Sequence, residues 1–151
     1  ELLAACSAFA EKPRAIPVIT PVIDAISGFI AVVPSARSSE LEQLAADCVI
    51  ELDRFRAPLT PVDRTRRNPS SLTPRQSELL DRWGYPYVMD EFRFHMTLTG
   101  RLDAARRAPV LTILRRRFSA LYITRLAIDR IALFPQEDTY SRFCILSQWR
   151  L

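Results

Sequence analysis

The chain has 151 residues, 48% of them hydrophobic, enough for one domain of ordinary size with a real core and no covalent staples. Its cysteines, Cys6, Cys48 and Cys144, are odd in number and far apart, and with a single histidine they exclude a zinc cage and a disulfide framework. The basic residues are nearly all arginine, and the net charge of +4 suits an anionic small-molecule partner but falls short of a nucleic-acid footprint.

No apolar run nears the length of a membrane span without a charge or proline, and no basic start leads into an apolar signal core. Neither a membrane partner nor export is expected, and the reducing cytoplasm is the expected compartment. Residues 1–10 place Leu2, Leu3, Cys6, Phe9 and Ala10 on one face of a short amphipathic helix, stopped by Pro13. Two β-branched runs, 16–26 and 29–33, predict a strand pair whose first member lies at an edge, because Pro17 and Pro21 cannot donate to a ladder. Ser39 with Glu42 predicts a capping box at the head of a helix through Phe55.

The stretch 56–72 is proline-rich and polar, and it reads as a surface connection carrying Arg56, Arg64, Arg66 and Arg67. Thr73 with Gln76 is a second capping box, Pro74 fits the first helical position, and Gly84 ends that helix near Trp83. Tyr85-Pro86-Tyr87 then makes an aromatic turn. Further on, Pro109 opens a helix whose Val110, Leu111, Leu114, Phe118 and Leu121 share a face. Two strands follow at 123–134 and 140–149, joined by 135–139.

The candidate site lies in 91–100, EFRFHMTLTG, read as a strand. Phe92, Phe94, Met96 and Leu98 make an apolar face for the core, while Glu91, Arg93, His95, Thr97 and Thr99 line the other. An imidazole, a hydroxyl two residues on and a guanidinium two residues back suit a phosphate, as proton shuttle, hydrogen-bond donor and charge clamp. The motif I-D-x-I-x-x-F occurs twice, at Ile23 to Phe29 and Ile128 to Phe134, each time after a helix and before another apolar strand, so the chain reads as two related halves.

His95-Met96-Thr97-Leu98, followed by a helix and by RLAIDRIALF and RFCILSQWRL, resembles the second half of a two-histidine (2H) phosphoesterase. That superfamily carries two H-x-[ST]-x motifs, one per pseudo-symmetric lobe, facing each other across a groove. More narrowly, ELDRFRAPLT, RWGYPYV and FRFHMTLTGRL together resemble a poorly characterised family associated with phosphonate-utilisation operons. The resemblance covers nearly the whole chain.

It implies an α+β fold with two pseudo-symmetric lobes of antiparallel sheet flanked by helices. Residues 1–55 would be the remainder of the first lobe, 56–90 a connection with a short helix, and 91–151 the second lobe. It also implies opening of a cyclic phosphodiester without metal or cofactor, with His95 as acid or base and Thr97 as donor to a nonbridging oxygen. Arg93, from alternation, is a candidate clamp, and Tyr85 and Tyr87 are candidates for the groove wall.

The implied partner is a small phosphorylated or cyclic-phosphate substrate, for which a sugar cyclic phosphate from phosphonate breakdown is the hypothesis and an RNA end the rival. Such a reaction needs two histidines, and this sequence has one. The repeat places the other about ten residues ahead of Glu1. This chain alone is then expected to be inactive, with a groove open on one side. A phosphate-ligand binding module without turnover is the alternative from another class. A nonspecific RNA-binding protein is a third, weaker reading, since the arginines are scattered.

Overall fold

The β-branched runs after Pro13 become paired strands, and the amphipathic segments become the helices that cover them. The computed structural model describes every residue except 137, 139 and 140. Helix α1 (Leu2–Ala10) is followed by β1 (Val18–Ile19), β2 (Pro21–Ile26), β3 (Phe29–Pro34), α2 (Ser39–Leu52), α3 (Pro61–Arg66) and α4 (Pro74–Trp83). The rest comprises β4 (Met96–Thr97), α5 (Ala104–Ser119), β5 (Leu126–Ala127), β6 (Arg130–Leu133) and β7 (Ser147–Arg150). The architecture is mixed α+β, with every strand pairing antiparallel among the described residues.

The chain divides into two units, and neither is a consecutive half. One consists of Pro17–Leu41 and Arg93–Ile128. There β2 and β3 form a hairpin from Pro21 opposite Pro34 to Ile26 opposite Phe29, and β4 adds to β3, leaving β2 at the edge as its proline requires. β1 pairs separately with β5. Helix α5 lies on β2 and β3, where Leu102, Val110, Leu111, Leu114 and Phe118 pack against buried Ile23, Ile30 and Val32. Leu121, expected on the same face, falls past the helix end and is exposed.

The other unit consists of Glu1–Ile16, Glu42–Phe92 and Asp129–Leu151. Here α1 packs against the β6–β7 hairpin, and Cys6, Phe9, Leu44, Leu79 and Leu80 are buried. Each such apolar side chain removed from water stabilises the fold by about 1.5–3 kcal/mol. The first helix therefore covers the last hairpin, and the helix of the second half covers the first hairpin. The division at residues 55 and 91 expected from the sequence is a sequential one, whereas each of these units draws on separate stretches of the chain. Both copies of I-D-x-I-x-x-F lead into hairpins, but at different registers. The first runs through β2 and its turn, whereas the second places Ile128 and Asp129 ahead of β6.

Several boundaries differ from expectation for local reasons. Ser38, not Ser39, heads α2, its Oγ accepting from the Leu41 N–H. The stretch 56–72 holds a helix, α3, whose Thr60 and Asp63 form a reciprocal capping box with Pro61 just inside. Helix α5 begins one turn early because Asp103 caps the Arg106 N–H, and Pro109 lies within it. The run 123–134 is split into β5 and β6, and 140–149 contributes only β7; Tyr140 at its expected start, and Glu137 and Thr139 before it, lie outside the described residues. Among the described residues, no helix is long and apolar enough to cross a membrane.

Candidate functional site

The strand expected over 91–100 is only two residues long, and its ends explain why. Upstream, Met89–Glu91 winds into a 3-10 turn with Met89 at φ 52°. Downstream, the Thr99 hydroxyl intrudes on the ladder: Oγ1 accepts from the Ile30 N–H at 3.0 Å and donates to the Gly100 carbonyl at 2.9 Å. Between these ends Thr97 stands opposite Ala31 and Met96 opposite Val32. The expected apolar face is not core: Met96 and Leu98 are 38% and 46% exposed, because they stand at the sheet edge while α5 covers β2 and β3.

His95 immediately precedes β4. Its Nδ1 lies 2.8 Å from the carbonyl oxygen of Arg93. A carbonyl can only accept, so Nδ1 carries the hydrogen, and in the neutral ring Nε2 holds the free lone pair. The ring also rests against Phe29 of β3, with centroids 5.4 Å apart and planes inclined at 46°. One hydrogen bond and one ring contact thus orient the imidazole, leaving Nε2 without a hydrogen-bond partner among the described residues.

Opposite residues of an antiparallel pair share a face. Thr97 therefore stands with Ala31 on the side away from the Ile23–Ile30–Val32 core. The Thr97 hydroxyl makes no hydrogen bond among the described residues, whereas that of Thr99 is spent on the backbone. Alternation alone could not separate the two threonines. The site combines a tautomer-fixed imidazole, chemically able to exchange a proton, with a hydroxyl available to donate a hydrogen bond.

Arg93 enters this site through its carbonyl. Its guanidinium is exposed and forms no ion pair among the described residues. Tyr85 and Tyr87 belong to the other unit, where their rings meet edge to face at 5.6 Å and stand 39% and 46% exposed. Two contributors were missed from sequence: Phe29, whose side chain reads as core, and the Arg93 carbonyl, which no side-chain pattern reports. Among the described residues, no three His, Cys, Asp or Glu side chains gather in a group that could hold a metal ion.

Residues 1–144 match the family model described as "Protein of unknown function (DUF1045)". The chain belongs to the DUF1045 family. It is also similar to two curated proteins named ribose 1,5-bisphosphate phosphokinase PhnN. One, from Janthinobacterium sp. (strain Marseille), is 36% identical over 140 residues, covering 90% of this chain and 31% of that protein. The other, from Laribacter hongkongensis (strain HLHK9), is 36% identical over 124 residues, covering 80% of this chain and 28% of that protein. The DUF1045 chain thus spans under a third of the length of these relatives. No solved structure matches it.

Proposed function

We propose that the chain carries one histidine arm of a 2H-type phosphoesterase that opens a sugar cyclic phosphate. The observation that supports this most is the Nδ1 contact of His95 with the Arg93 carbonyl, which leaves Nε2 as the working nitrogen beside the unengaged Thr97 hydroxyl. Nε2 takes a proton from water or returns one to the leaving oxygen, and Thr97 donates to a nonbridging oxygen as charge accumulates. The guanidinium of Arg93 is free to swing onto the phosphate.

The reaction needs a second imidazole from outside these 151 residues.

The relatives' names favour a phosphorylated ribose as the sugar, and the resemblance to phosphonate-operon proteins is in keeping with such a substrate. A phosphokinase of the glycine-loop type needs G-x-x-x-x-G-K-[ST] to cradle its nucleotide. This sequence has three glycines, Gly28, Gly84 and Gly100, and Lys12 as its only lysine, so it cannot form that loop. The kinase name therefore describes relatives about three times as long, and the phosphoester reading is preferred for the part they share with this chain.

A binding module without turnover is the second reading, favoured by the single histidine. The two separate in one pair of measurements on this chain and on a longer polypeptide that includes the region ahead of Glu1. Hydrolysis of a cyclic-phosphate panel, including ribose cyclic phosphates, is followed by phosphorus NMR, and ligand binding by the proton signals of the one imidazole. Turnover by the longer protein, falling about 10²–10⁴-fold in His95→Ala with folding intact, supports the esterase. Shifted imidazole signals with no turnover by either protein would establish the binding module instead.

A further inference from the structure

The second feature with ligand chemistry lies wholly in the unit that contains α3 and α4. The Thr60–Asp63 box starts α3, and an ion pair from Arg64 to Asp81 ties α3 to α4. The helix end then delivers Arg67, whose guanidinium carbon sits 4.6 Å above the ring centre of Tyr85. Gly84 ends α4 at φ 72°, and Arg56 packs so closely that a Cβ at Gly84 would meet its Cδ at 3.0 Å. Arg56 also bonds the Asp53 carboxylate and the Arg82 carbonyl. The turn is thereby held at its start.

Beyond it the chain alternates: Tyr85 out, Pro86 fully buried, Tyr87 out, Val88 buried. Burial of Pro86 and Val88 anchors the loop, and two rings of mainly apolar surface are left facing water. Core packing would have turned them inward. The neighbouring charge is also in surplus. Arg56 and Arg64 are committed to carboxylates, but Arg66 and Arg67 form no ion pair among the described residues, and their nearby acid Asp63 is held chiefly by Thr60.

Exposed aromatic faces beside a free, ring-stacked guanidinium match one ligand chemistry: a planar base bearing a phosphate. A sugar phosphate alone would leave the rings unused. We propose that Arg67, Tyr85 and Tyr87 form a nucleotide-recognition platform, with the base stacked on one tyrosine and meeting the other edge-on, as the 76° between their rings requires, and the phosphate on Arg67, assisted by Arg66. The same chemistry is offered by a free nucleotide and by the terminal nucleotide of an RNA. The platform does not depend on His95.

Calorimetric titration of the full chain with AMP, adenosine, ribose 5-phosphate and a short single-stranded RNA tests this. AMP or the RNA should bind at least tenfold more tightly than ribose 5-phosphate. Tyr85→Ala and Tyr87→Ala should each weaken that binding about tenfold or more. Arg67→Gln should weaken AMP but not adenosine. Binding by AMP but not RNA assigns the platform to free nucleotides, and the reverse assigns it to RNA ends. The proposal is overturned if neither binds, if ribose 5-phosphate binds as well as AMP, or if the tyrosine variants, folded by circular dichroism, bind like the parent. Arg67→Gln keeps both rings and decides the matter if a tyrosine variant fails to fold.

Discussion

The imidazole Nδ1 of His95 is 2.8 Å from the carbonyl oxygen of Arg93, two residues back in the chain. This contact selects the neutral tautomer with hydrogen on Nδ1, and because the sequence contains one histidine the selection can be read without assignment. Long-range nitrogen–proton NMR of the neutral protein should show Nδ1 protonated and Nε2 bare. A ring protonated on Nε2 instead would remove the geometric basis for His95 as the base. Phe29→Ala, which takes away the ring contact, should broaden the imidazole signals and lower any turnover while leaving the tautomer in place.

Thr97 and Thr99 are separated by their hydroxyl partners, and substitution should separate them by phenotype. Thr97→Val removes an unengaged hydroxyl from an exposed position, so the melting temperature should stay within a degree or two of the parent. Turnover by the longer protein should fall about 10²–10³-fold if that hydroxyl stabilises developing charge. Thr99→Val deprives the Ile30 N–H of its acceptor, and Ile30 is fully buried. An unsatisfied buried donor costs about 1–3 kcal/mol, so this variant should lose stability in urea denaturation. Equal stability for the two variants would contradict the hydrogen-bond assignment.

Local rules were readable in the sequence where one short stretch decides the outcome. Thr73-Pro74-Arg75-Gln76 carries both halves of its capping box, and Gly84 closes the same helix in the left-handed conformation. The box at Thr60 departs from the usual pattern because Asp63 stands where Glu or Gln is usual, although its carboxylate reaches the Thr60 N–H equally well. Alternation over 91–100 overstates the strand because it persists in the sequence after pairing has ended. Its length is set instead by a side chain, Thr99, competing for the Ile30 N–H. The exchange of helices between hairpins depends on contacts between distant segments, and periodicity holds no information about which hairpin a helix covers.

Pro109 shows how a strong local signal can mislead, and it yields a stability test. Proline is favoured at the first helical turn, yet here it follows Asp103 by six residues, inside α5. At that depth it cannot donate to the Ala105 carbonyl and its ring crowds that group. Pro109 is exposed, so little packing is lost on replacement. Pro109→Ala should therefore raise stability by about 1 kcal/mol or more, seen as a higher thermal midpoint. A lower midpoint would mean that the helix starts at the proline after all. Asp103→Ala should act in the opposite direction, costing about 1 kcal/mol through the lost cap.

Cys48 supplies a pH dependence whose sign is fixed by its surroundings. Burial pushes its thiol up to about 11, against a smaller opposing effect of the Arg14 guanidinium. The folded state thus favours the neutral thiol more than the unfolded state does. The resulting stabilisation is complete below the ordinary thiol value and is lost as pH rises through about 11. Other groups titrate in the same interval, so the measurement is a difference: urea stability of the parent minus that of Cys48→Ala should be constant from pH 6 to about 8 and shrink toward pH 11. Thiol reactivity gives an independent reading, because the thiolate is the nucleophile. Iodoacetamide at neutral pH should modify exposed Cys144 first and Cys48 far more slowly, while buried Cys6 should react only on unfolding. A difference in stability that grows with pH, or Cys48 alkylated as fast as Cys144, would show that the thiol is not held in its neutral form.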